Sequence, residues 1–221
     1  SEGQVERMVK YVHWRRGQGN IDDPSNLRHT PVVLFSGKND WVVYNTVMDD
    51  VNTQLRAFVD EGHITSSFDT RAGHVWSVDH GKCRCGACPY GGWEQAPCCD
   101  VNNCAYDLSG AALGAAYGAI RPRVAAHDQL HWIDQLAYMP SSVADRHRQP
   151  TLMRWAIAYV PSGCSAEPSK CRLHVNYHGC TGVKWAKRLS WVRNLDLNEY
   201  AEANDIVVLY PQARGSKAVR T

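Results

Sequence analysis

Apolar residues in this chain recur at two periods, and the two alternate along its length. Val5, Met8, Val9 and Val12 form a weak helical pattern near the start. Residues 17–26, rich in Gly, Asn, Asp and Pro, read as a loop. Residues 31–35 are a continuous apolar, β-branched run, suited to a strand buried on both faces. Residues 36–40 then turn the chain. Val47, Val51, Leu55, Phe58 and Val59 fall on one helical face, with Gly62 beyond them as the stop. Residues 64–68 predict a second short strand, followed by a turn at Ala72 and Gly73.

The stretch 80–104 has no periodicity but six cysteines, so it is expected to be a loop excursion held by cross-links. Asp107 has the chemistry of a helix N-cap ahead of Leu108, Ala111, Ala112, Leu113, Ala115, Ala116 and Tyr117. Gly114 and Gly118, four apart, suggest that this helix packs closely on a sheet. Residues 121–150 are polar and form the expected linker. Strands 153–160, 172–177 and 206–210 follow, with a helix over 185–203 between the last two. Strands alternating with helices, each strand an apolar run, predict an α/β fold with a mostly parallel sheet.

Composition narrows the function classes. With 221 residues, 44% hydrophobic and 21% charged, the chain has the make-up of an ordinary globular protein. Net charge is only +2 and the basic residues are scattered, which argues against a nucleic-acid partner. No apolar run approaches the roughly 20 residues needed for a membrane span. The chain starts at Ser1 without a signal peptide, which is expected of a trimmed secreted product. Nine cysteines favour an oxidising compartment. Cys85 and Cys88 have a zinc-knuckle spacing, but Cys98, Cys99 and Cys104 do not supply its second half, so disulfides are preferred and no metal is expected.

In open α/β sheets, ligands bind beyond the carboxyl ends of the strands. Three such ends carry chemistry: Asp40 after strand 31–35, His74 after strand 64–68, and His178, Gly179 and Cys180 after strand 172–177. An acid, a histidine and a glycine-containing turn are the ingredients of acyl transfer. Taken singly, each has a plain alternative as a cap, a surface imidazole or a tight turn.

Five segments in consistent order resemble the polyhydroxybutyrate depolymerases and related esterases. They are residues 30–43 around Asp40, 72–76 around His74, 101–113 with their Asn102-Asn103-Cys104 run, 173–180 ending in His178-Gly179-Cys180, and 206–212. The resemblance implies a secreted carboxylic ester hydrolase of α/β-hydrolase type. It also implies circular permutation, because acid and histidine precede the oxyanion turn, whereas ordinary α/β-hydrolases place that turn first. Carried over by position, it makes Asp40 the triad acid and His74 the general base. Gly179 and Cys180 become oxyanion donors, and Trp41 and Trp76 the walls of a crevice for an ester or polyester. Core packing is the equal alternative for both tryptophans. The resemblance also implies a Cys164–Cys171 disulfide, no cofactor, and two halves of one hydrolase domain in residues 1–120 and 151–221.

A serine nucleophile is missing from this pattern. No Ser has glycine both two residues before and two after it, as a nucleophile elbow requires. The expectation is a nucleophile on a companion polypeptide or in an incomplete region. The alternative is a catalytically inactive relative acting as a secreted structural or binding protein.

Overall fold

A computed structural model describes residues 2–88, 99–139, 152–179 and 185–213. The chain forms two compact units, Ser1–Ala119 and Ile120–Thr221.

In the first unit, helix α1 (Glu2–Gly17) packs on α2 (Asn45–Leu55), and Val5 is its buried contact at 5% exposure. Strand β1 (Val32–Phe35) pairs in parallel with β2 (Ile64–Ser67), in the register Val32↔Ile64 to Phe35↔Ser67. β1 is half-buried rather than sealed on both faces, with Leu34 as its one buried residue. A second parallel pair joins β3 (Trp76–Val78) to β4 (Val101–Asn103). Neither strand was expected, because three residues are too few to show a period.

Helix α3 (Leu108–Tyr117) starts where Asp107 predicts, since that carboxylate accepts from the N–H of Gly110 at 2.8 Å. α3 packs on β1 and β3, burying Leu108 and Leu113, and Tyr106 just ahead of it stacks on Phe35 at 5.4 Å. The two glycines do not produce that packing. A Cβ at Gly114 would meet no neighbour, and Gly118 is the helix C-cap at φ 78°.

The cysteine-rich loop is cross-linked by Cys85–Cys104 and Cys88–Cys99, and Cys83 is disulfide-bonded as well. The zinc-knuckle spacing of Cys85 and Cys88 is thus occupied by two disulfides. Cys98 lies outside the described residues.

The second unit is built on a four-stranded sheet in the order β5–β6–β8–β7: β5 (His131–Asp134), β6 (Trp155–Tyr159), β8 (Ile206–Tyr210) and β7 (Arg172–Val175). β7 and β8 run parallel, whereas β5–β6 and β6–β8 are antiparallel, so this sheet is mixed. Residues 131–139 of the expected linker are structural. β5 adds an edge strand, and Gln135 donates to the carbonyls of Met153 and Gln212. Trp132, Ile133 and Leu136 give this stretch apolar positions that the polar average of residues 121–150 conceals.

The single helix expected over 185–203 is two, α5 (Trp185–Asn194) and α6 (Leu197–Asn204). The break is at Asp196, which adopts a left-handed conformation at φ 62°. Leu195 and Leu197, on either side of it, are both essentially fully buried. α6 covers β8, and two tyrosines fix it: Tyr210 Oη donates to Asn198 and Tyr159 Oη to Glu202. Helix α4 (Ser162–Ala166) leads into the turn closed by the Cys164–Cys171 disulfide, whose Cα atoms are 5.8 Å apart. Among the described residues no helix is long and apolar enough to cross a membrane.

Candidate active site

Because β1 and β2 are parallel and in register, their carboxyl ends project two loops from the same edge. One carries Asp40, the other His74. The loops are joined by backbone: the N–H of Lys38 donates to Thr70 at 2.8 Å and that of Asn39 to Ala72 at 3.0 Å. Gly37 makes this approach possible, since a Cβ there would overlap the Ala72 carbonyl. Asn39 Nδ2 adds a bond to the Arg71 carbonyl, and Asn45 Nδ2, in the first turn of α2, one to the Phe68 carbonyl. Lys38 also pairs with Asp69 at 2.9 Å; Asp69 is almost fully exposed, so solvent screens that pair.

The result is a defined acid–imidazole pair. Asp40 Oδ2 lies 3.0 Å from His74 Nδ1, with the carboxylate side chain 10% exposed and the imidazole 41% exposed. Asp40 Oδ1 accepts from the backbone N–H groups of Val42 and Val43, each at 2.9 Å. A carboxylate only accepts, so His74 Nδ1 carries the hydrogen and Nε2 keeps its lone pair. Asp40 is therefore a turn residue and an imidazole partner at once, one oxygen serving each role. The sequence offered no sign of the two valine amides, whose part is played by backbone.

The aromatic flanks differ from one another. Trp41 is 56% exposed, and Val42 and Tyr44 beside it are exposed as well. Trp76 opens β3, is half-buried, and its indole N–H donates to Ser109 in the first turn of α3 at 3.2 Å. Ser109 itself is fully buried.

In the second unit, β7 leads into Asn176, Tyr177, His178 and Gly179. His178 Nε2 accepts from the N–H of Ala213 at 3.1 Å, and its Nδ1 lies 2.8 Å from the Gly179 carbonyl. The imidazole is thus spent on fixing the turn. Gly179 is exposed, and among the described residues nothing would meet a Cβ there. Cys180 lies outside the described residues.

Comparisons with known proteins bear on the chain as a whole. No family model matches the chain. A poly(3-hydroxybutyrate) depolymerase of Delftia acidovorans is 34% identical over 208 residues, which is 93% of this chain and 39% of that protein. A polyhydroxybutyrate depolymerase of Talaromyces funiculosus is 26% identical over 198 residues, 87% of this chain and 54% of its own length. The chain therefore spans about two fifths to a half of these relatives. The crystal structure of PHB depolymerase from Penicillium funiculosum matches at TM-score 0.70 and 24% identity, covering 87% of this chain and 57% of that one. A serine-to-alanine PHB depolymerase complexed with an R3HB trimer gives the same values, TM-score 0.70 and 24% identity. In sequence over most of its length and in its α/β-hydrolase-type fold, this chain is a homologue of the polyhydroxybutyrate depolymerases.

Proposed function

We propose that this chain is the acid–base part of an extracellular polyester hydrolase acting on poly(3-hydroxyalkanoate)-like esters through a serine that it does not itself carry. The observation behind this reading is the Asp40–His74 pair, held at 3.0 Å with the second carboxylate oxygen tied to two backbone amides. That arrangement fixes both tautomer and ring orientation, which a general base requires. The substrate class follows from the relatives' names, and the exposed Trp41, Val42 and Tyr44 supply apolar surface beside the acid for an aliphatic acyl chain. The disulfides support an extracellular location.

In the reaction, a serine Oγ outside this chain attacks the ester carbonyl while His74 Nε2 takes its proton. The resulting imidazolium is stabilised by Asp40 and returns the proton to the departing alcohol oxygen. Water then attacks the acyl-serine with the same proton traffic, releasing the acid. The oxyanion is assigned, by resemblance alone, to the turn at Gly179 and Cys180. The chain order of acid, base and oxyanion turn supports a circularly permuted arrangement.

The test is fluorophosphonate labelling of the natural protein, followed by separation with and without reductant and mass identification of the labelled polypeptide. Label on a serine outside this chain, lost in a His74→Ala variant, is the expected result. No label, with ester substrates untouched, would replace this reading with that of an inactive scaffold or binder.

A further inference from the structure

We infer that the first unit carries a carboxylate-binding cleft, built by the cysteine-rich loop, that takes the ionised acid end of an oligoester. This rests on the polyester-hydrolase reading above. The cleft has a volume of about 430 Å³ and is lined by Arg71, Lys82 and Arg84 together with Gly81, Cys85, Asn103, Cys104 and Ala105. That volume is within the usual range for small-ligand sites. Three cationic side chains line it and, among the described residues, no carboxylate does. Among the described residues, none of the three is engaged in an ion pair.

The walls are fixed rather than incidental. The segments 81–85 and 103–105 are joined by the Cys85–Cys104 disulfide, by the Asn103 N–H to Cys83 carbonyl bond at 2.7 Å, and by a parallel bridge between Arg84 and Asn103. Asn103 lines the cleft, its side chain donating to the Gly81 carbonyl and accepting from the Ala105 N–H. Gly81 at φ 90° and Ala105 at φ 53° make the tight turns that bring these segments together. The backbone that carries Lys82 and Arg84 is therefore fixed before any ligand arrives, which lowers the ordering cost of binding.

Position and chemistry supply the ligand. Arg71 precedes His74 by three residues, so their Cα atoms are at most about 11 Å apart. The Arg71 carbonyl also accepts from Asn39, the neighbour of Asp40. Hydrolysis of an ester leaves one alcohol and one carboxylic acid, and at neutral pH that acid is an anion. An oligoester cut at this site thus presents a single negative charge at one end and neutral esters along the rest. A cleft lined by three cations, one of them three residues from His74, matches the charged end, and arginine forks suit a carboxylate.

The measurement is binding of the trimer of 3-hydroxybutyrate to the full chain, read by NMR shifts at the amides of Lys82, Arg84 and Ala105. Two forms of the trimer are compared, the free acid and its carboxyl methyl ester, at low and moderate salt. The acid should bind at least about tenfold more tightly than the methyl ester. That preference should shrink as salt screens the cations and disappear in a triple variant R71Q, K82Q, R84Q. These side chains are exposed, so the variant keeps its disulfides and fold, which its remaining amide spectrum verifies. Equal binding of acid and methyl ester overturns the assignment. Acetate binding as tightly as the trimer acid also overturns it, because the cleft would then select a small anion alone. Either result leaves the fluorophosphonate labelling unchanged. A failure of that labelling, conversely, leaves this binding comparison standing.

Discussion

At the scale of single residues, the site depends on one position without a side chain and one with two acceptor oxygens. Gly37 lets the acid loop lie against the Ala72 carbonyl, so Gly37→Ala forces backbone apart. Overpacking of this kind costs about 1–3 kcal/mol, to be read as a lowered urea midpoint. Asp40→Asn is a different perturbation. An amide oxygen still accepts from Val42 and Val43, so the turn survives. The amide nitrogen, facing His74, now donates and favours the opposite tautomer. In the assembled enzyme the variant should fold normally yet lose on the order of 10⁴ in kcat, measured on a soluble nitrophenyl ester. An undiminished rate would remove Asp40 from the mechanism. Asp40 was legible in the sequence as the acid at a strand end. Its second role, as acceptor for two amides, was not, because backbone donors leave no mark in residue identity.

At the scale of elements, helix ends and the helix–sheet contact of the second unit carry distinct predictions. Asp107 caps α3 through the Gly110 N–H, and Asp107→Ala should cost about 1 kcal/mol. Since α3 packs on both β1 and β3, circular dichroism and near-ultraviolet melting should shift together. In the second unit, Glu202 of α6 accepts from Tyr159 Oη at 2.6 Å and from the Ser162 N–H, with His127 nearby at 3.7 Å. Burial raises its pKa. The hydrogen bonds from Tyr159 and Ser162 and the His127 imidazole outweigh that and hold the carboxyl below its usual range. Burial and the same carboxylate push the Tyr159 phenol upward. A carboxyl whose folded pKa is depressed stabilises the fold fully above its unfolded value and loses that contribution as pH falls through the folded one. The Tm advantage of the native protein over Glu202→Gln should therefore be present at pH 7 and shrink below about pH 4.5. A difference that stays constant with pH would mean the contact is steric. The helix break at Asp196 also belongs here. The apolar period runs through it, and only the burial of both Leu195 and Leu197 reveals why the chain turns.

Across the whole molecule, covalent cross-links are unevenly placed. Cys85–Cys104 and Cys88–Cys99 close separations of 19 and 11 residues in the first unit, against 7 for Cys164–Cys171 in the second. In the chain-entropy account, longer loops stabilise more, with roughly 3 kcal/mol for a loop of about 15 residues. Reduction should therefore loosen residues 81–88 and 99–105 more than the turn at 164–171, as hydrogen-exchange mass spectrometry would show. Equal deprotection of both regions would contradict this. Because those first-unit segments wall the basic cleft, reduction should weaken oligoester-acid binding along with protection.

Local signals along the chain were enough for the class of the fold, the positions of β1, β2, α3, β7 and β8, and the acid and histidine at the strand ends. Each of these rests on a local signal: an apolar run of strand length, a capping carboxylate, or a motif in order. The rest came from long-range contacts in the folded chain. Folding extended a sheet into residues read as linker, split a helix at a left-handed Asp196, paired Cys85 with Cys104 and Cys88 with Cys99, and set Asp40 Oδ2 at 3.0 Å from His74 Nδ1. It also gathered Arg71, Lys82 and Arg84 around one cleft. These depend on contacts between residues far apart in the chain and on backbone donors common to every residue. Periodicity and residue type record neither, since both describe what a segment can bury or cap but not what it will meet.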